Sequence, residues 1–73
     1  MVRRETFINK IRDLNYAYKS QGKRTYIYRK VGGMHYIPVP MRDNLAEEFV
    51  RSTLFQAGCD KEEIDAFISS AKS

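Results

Sequence analysis

The spacing of apolar side chains changes twice along this chain, and those changes fix the class of fold open to it. Phe7, Ile11 and Leu14 recur at four- and three-residue intervals with Ile8 beside them, a period that predicts a helix over Arg3 to Leu14 ended by Asn15. From Tyr16 the period falls to two. Tyr16, Tyr18, Tyr26 and Tyr28 alternate within two β-rich runs separated by Ser20-Gln21-Gly22-Lys23, a hairpin connection. Val31-Gly32-Gly33 marks a second turn, and Met34 to Val39 a third strand, in which Pro38 points to a sheet edge or to the close of the strand because proline cannot donate to a ladder. The helical period then returns. Asn44 with Glu47 has capping-box spacing ahead of the stripe Ala46, Phe49, Val50, Thr53, Leu54 and Ala57; Gly58 closes that helix. Asp60 with Glu63 repeats the signature for a third helix burying Ile64, Phe67 and Ile68, beyond which Ser69 to Ser73 are expected to fray. The expectation is an α+β fold of two layers, α-β-β-β-α-α, with a three-stranded antiparallel meander packed on the helices.

At 73 residues the chain is expected to form a single domain over residues 1–73. A core of this size supplies roughly 3–5 kcal/mol, which makes a partner or self-association a reasonable expectation. The single cysteine, Cys59, has no internal disulfide partner, and one cysteine with one histidine, His35, is no zinc cluster. No metal and no cofactor is expected. No apolar run approaches the length needed to span a bilayer, and no apolar signal segment follows the basic amino terminus, so a cytoplasmic protein without membrane contact is expected.

Charge is distributed unevenly. Residues 1–42 hold ten Lys and Arg against Glu5 and Asp13, while residues 43–73 hold three bases against seven acids, a split of +8 and −4. A field of that sign on one half attracts polyanions, as in nucleic-acid binders, although net charge of this size also serves solubility. Strand alternation adds a face. Placing Ile27, Ile37 and Val39 toward the helices leaves Tyr26, Tyr28 and Tyr36 on the open face among Arg24 and Lys30, with His35 on the side of Ile37 and Val39.

The leading helix ending Leu14-Asn15-Tyr16, the run Gln21-Gly22-Lys23-Arg24 entering a strand with Ile27-Tyr28, the Val39-Pro40 ending the third strand, and the helix from Phe49 to Gln56-Ala57-Gly58 together resemble the HicA toxins of toxin–antitoxin pairs. The likeness runs from about Phe7 to Phe67. It implies a fold like that of double-stranded-RNA-binding domains, an RNA target, a messenger-RNA interferase activity and an antitoxin protein as partner. HicA proteins generally carry Gly-Ser-His at the start of the second strand, the histidine being catalytic. Here the corresponding positions read Gly22-Lys23-Arg24, so the resemblance carries fold and RNA binding but not that imidazole, and leaves open whether the chain is an enzyme.

Three groups of side chains are candidates for a site. Lys23 and Arg24 in the hairpin, with Lys19 and Lys30 nearby and Lys10 and Arg12 on the first helix, suit contact with an RNA backbone, against the plainer reading of a solvated face whose lysines guard sheet edges. Tyr26, Tyr28 and Tyr36 could stack on unpaired bases, bury a homodimer or antitoxin interface, or simply pair across strands. His35 is the side chain suited to take a ribose 2′-hydroxyl proton near neutrality, or else covers the rim of the core. Cys59 reads as a packing residue between helices.

Overall fold

The computed structural model describes residues 1–71. Its elements are β1 (Val2–Arg3), α1 (Arg4–Asp13), β2 (Tyr16–Gln21), β3 (Thr25–Lys30), β4 (Tyr36–Pro40), β5 (Asn44–Leu45), α2 (Glu47–Gln56) and α3 (Lys61–Ala71). The fold is α+β. Strands β2, β3 and β4 form an antiparallel meander in that order, and β1 pairs antiparallel with β5 as a separate two-stranded ribbon.

The helix ends follow from local chemistry. Asn15 takes φ 69°, a left-handed conformation that asparagine tolerates, and stops α1. At the end of α2, Gly58 has φ 100°, its N–H bonds to the Phe55 carbonyl at 3.1 Å, and the N–H of Cys59 bonds to the Leu54 carbonyl at 3.0 Å. That pair of bonds is a Schellman motif. Asp60 Oδ1 accepts the N–H of Glu63 at 2.8 Å, capping α3 as its sequence signature predicts. Helix α3 continues through Ser69 and Ser70 to Ala71, where fraying was expected; Lys72 and Ser73 lie outside the described residues.

Asn44 does not cap α2. It pairs with Arg3 in the β1–β5 ribbon, so the cap position passes to Ala46, which makes no side-chain cap bond. Backbone pairing with the start of the chain outweighs a local signal that only two residues, Asn44 and Glu47, carry.

One core joins both layers. Phe7 and Ile11 of α1, Val50, Thr53 and Leu54 of α2, and Ile64 and Ile68 of α3 are buried against Tyr16, Tyr28, Ile37 and Val39 of the sheet, with Val2, Leu45 and Cys59 closing its ends. The burial of Tyr28 corrects the assignment of faces. Tyr28 lies opposite Ile37 and Tyr26 opposite Val39, and directly opposed residues share a face. Tyr26 and Tyr28 therefore face the helices, with Arg24 and Lys30 on their side by alternation, and Ile27, opposite Pro38, faces away. Hydrophobicity ranks isoleucine above tyrosine, but a tyrosine ring fills more core volume while its hydroxyl reaches the rim. Of the three tyrosines, Tyr36 keeps the open face.

The two edges of the sheet differ. The N–H of Lys30 bonds to the His35 carbonyl at 2.9 Å and the N–H of Met41 to the Arg24 carbonyl at 3.1 Å. By alternation Ile37 and Val39 also bond across to β3, and Pro38 and Pro40 fall where an amide would face outward. They cost no ladder bond and remove two donors from the free edge of β4. Edge strand β2 has no proline; its register shifts between Tyr18 and Ser20, where Lys19 forms a bulge.

Candidate nucleic-acid interface

From Leu14 to Arg42 the chain contains no Asp or Glu and six bases: Lys19, Lys23, Arg24, Arg29, Lys30 and Arg42. That segment is the whole three-stranded sheet with its turns. The sheet is thus a cationic layer backed by the helices that hold most of the acids, and the fold sorts its cations into three settings.

The first is a cleft at the hairpin end. Residues Gly22, Lys23 and Arg24 connect β2 to β3, the N–H of Gly22 bonding to the Thr25 carbonyl at 2.7 Å. A Cβ on Gly22 would lie 2.9 Å from Thr25 Oγ1, so a larger residue in this turn would make the Thr25 side chain shift. The Met41–Arg24 backbone bond brings the segment after β4 alongside, and with it Arg42. Lys23, Arg24 and Arg42 line a cleft of about 490 Å³ whose apolar floor comes from Pro40, Met41, Leu45 and Phe49. All three cations are exposed. Among the described residues the ion pairs are Arg4–Asp43 at 4.0 Å and Arg51–Asp65 at 2.6 Å, and neither involves a cleft cation. Ala46 at the start of α2 also lines the cleft, but Glu47 and Glu48 already occupy the first turn, so its anion attraction rests on the three side chains.

The second setting is the far end of the sheet. Lys30 Nζ donates to the Leu14 carbonyl at 2.7 Å, satisfying the carboxyl-terminal end of α1, and sits 5.2 Å from the centroid of the Tyr16 ring. Lys10 Nζ lies 5.9 Å from the Phe67 ring, on α3. Arg12 is exposed on the same last turn of α1. Strand β3 separates this end from the hairpin by about 17 Å, at the usual strand rise. The six cations expected to bind together are thus divided: Lys23 and Arg24 share a cleft with Arg42, Lys10, Arg12 and Lys30 lie at the opposite end, and Lys19 stands beside Tyr36.

His35 also lies at that far end. Its Nδ1 is bonded to the Tyr16 hydroxyl, and the rings meet edge to face at 5.7 Å between centroids. Burial, with a smaller contribution from Cys59, pushes the Tyr16 phenol above its usual range. The geometry is that of a histidine closing the rim of the core. Cys59 is buried beneath, its thiol pushed up mainly by that burial.

The third setting is the open face. Lys19 Nζ donates to the Tyr36 hydroxyl at 3.2 Å and lies 4.7 Å from its ring centroid. The hydrogen bond from Lys19 and the charges of Lys19 and Arg29 hold the Tyr36 phenol below its ordinary range, against a smaller opposing effect of burial. Arg29 Nε donates to the Gly33 carbonyl at 3.1 Å.

Sequence reasoning did not single out Arg42 and Arg29. Period-two spacing within β3 could have placed Arg29 opposite Tyr28, but Arg42 lies beyond any strand and reaches the hairpin only through the Met41–Arg24 pairing. Among the described residues no group of three His, Cys, Asp or Glu could hold a metal ion, and no helix is long and apolar enough to cross a membrane. Comparison with protein-family models, with curated proteins and with solved structures finds no match to this chain.

Proposed function

We propose that this chain is a HicA-like RNA-binding protein that grips the RNA backbone in the cleft formed by Lys23, Arg24 and Arg42. The observation that carries the reading is the convergence of three exposed cations, free of carboxylate partners among the described residues, on one cleft at the end of an acid-free sheet. Guanidinium and ammonium groups on turns follow phosphates without reading bases. The apolar floor gives sugar edges a surface to rest on. Lys23 and Arg24 occupy the place where the family resemblance expects a serine and a catalytic histidine, which favours holding RNA over cutting it.

Cleavage by His35 finds less support, since a general base must reach the ribose hydroxyl it deprotonates. The imidazole is about a strand's length from the cleft and already bonded at Nδ1. The alternative of a homodimer or antitoxin-docking module built on an aromatic sheet face is narrowed, because Tyr26 and Tyr28 turn inward; what supports it is the proline-free edge of β2.

The test is equilibrium binding of the purified protein to a labelled oligouridylate and to an RNA duplex across a salt series. Affinity should fall steeply and log-linearly with salt, as counterion release requires. No association at low ionic strength would dismiss the reading.

A further inference from the structure

The sheet face turned away from the helices has an aromatic ring, two cations and no acid. Ala17, Arg29 and Tyr36 form one row across the three strands, Ala17 opposite Arg29 and Arg29 opposite Tyr36. Tyr36 is 40% exposed, and no helix covers it. Lys19 rises from the bulge of β2 beside that ring, and Arg29 stands in the same row. Neither forms an ion pair with a carboxylate among the described residues. The next row holds Ile27, half-buried, opposite exposed Pro38, and beyond it Pro40 lines the cleft already described. Tyr36, Pro38 and Pro40 point the same way along β4, spanning about 13 Å at the usual strand rise. An apolar strip thus leads from the cleft to an aromatic ring set between cations.

We propose that this face is a base-stacking platform for single-stranded RNA running out of the cleft, in which Tyr36 stacks on an unpaired base and Lys19 and Arg29 take the flanking phosphates. The inference rests on the RNA reading and adds to it the class of RNA preferred. A strand of this chemistry is what the face can hold: the cations match phosphate, the ring and prolines match base and sugar, and the absence of any acid on the three strands removes repulsion. A second copy would bring the same charges together. An ammonium over an exposed ring is a weaker contact than a stacked base, so a base displaces Lys19 from the ring and leaves its charge free for the neighbouring phosphate. A duplex, whose bases are already stacked on each other, gains nothing from Tyr36.

The experiment compares wild type, Tyr36→Ala and Tyr36→Phe for binding to a labelled oligouridylate and to a blunt RNA duplex, with circular dichroism melts to confirm folding. Tyr36→Ala should weaken oligouridylate binding about 5- to 150-fold, the range for loss of one stacked base, and leave the duplex unaffected. Tyr36→Phe should restore it, because stacking needs the ring and not the hydroxyl. Equal oligouridylate affinity for Tyr36→Ala and wild type would overturn the platform while leaving the cleft in place. Failure of wild type to bind either RNA would remove both readings. Should Tyr36→Ala not fold, photocrosslinking of wild type to thiouridine-substituted oligouridylate decides: an adduct on the peptide holding Tyr36 supports the platform, and adducts confined to other peptides refute it.

Discussion

The two ends of strand β3 carry the same kinds of residue and put them to opposite uses. At the Thr25 end, Lys23, Arg24 and Arg42 surround an open cleft without a carboxylate partner among the described residues. At the Lys30 end a lysine of the same sequence region is held against the Leu14 carbonyl and the Tyr16 ring, and the histidine is bonded to the Tyr16 hydroxyl. What separates them is the neighbour. Helix α1 ends beside Lys30 and presents carbonyls that need donors, whereas the hairpin closes with its own backbone bonds and leaves its side chains to solvent. A cation next to a helix carboxyl terminus becomes part of the fold; one on a self-sufficient turn stays available to a ligand.

Substitutions at the Lys30 end should therefore cost stability. Tyr16 is 4% exposed, and Tyr16→Ala should lose about 3–5 kcal/mol. For a domain this small that is enough to unfold it at room temperature, as urea titration followed by circular dichroism would read. Tyr16→Phe, which keeps the ring and removes the hydroxyl bonded to His35, should lose about 1 kcal/mol. Lys30→Met, which keeps the stem, should lose about 1–2 kcal/mol through the bond to Leu14 while changing RNA affinity less than about twofold. A large loss of RNA affinity in a folded Lys30→Met protein would erase the distinction between the ends.

The smallest effect lies away from the sheet, where Arg51 of α2 bonds to Asp65 of α3 at 2.6 Å. That bond holds the Asp65 carboxyl below its usual value of 3.8. A carboxylate depressed by folding contributes stability that is present above its unfolded value and is lost as pH falls through the lower folded one. Acid titration should thus loosen the α2–α3 contact below about pH 4 in wild type, and Asp65→Asn should shrink that acid-dependent part of the transition. The pair is solvent-exposed, and the change in midpoint should be small.

Much of this molecule was legible in the residues. Period and turn chemistry gave the meander, the helix stop at Asn15, the Schellman glycine at Gly58, the Asp60 cap and the edge position of Pro38, because each is a local signal with a local cause. The β1–β5 ribbon was not legible. Two-residue strands have no period, and Val2–Arg3 finds Asn44–Leu45 across more than half of the chain. The inward turn of Tyr26 and Tyr28 was missed because alternation gives two faces without saying which is buried; the pairing of Tyr28 with Ile37 decides it. In the candidate site, Lys23 and Arg24 could be named from the hairpin, but Arg42 joins them through tertiary pairing, and Lys30 leaves them because a helix end claims it.

The most direct test removes equal charge from opposite ends. Lys23→Ala with Arg24→Ala, and Lys10→Ala with Arg12→Ala, each delete two cations, and the log affinity of each double variant for oligouridylate is measured against log salt. Loss of the hairpin pair should reduce the slope by about one to two, at about 0.7 for each phosphate of a single strand that is no longer neutralised, while loss of the helix pair should leave it at the wild-type value. Equal reductions from both pairs would mean that diffuse net charge attracts the RNA, and the cleft would have no special part in holding it.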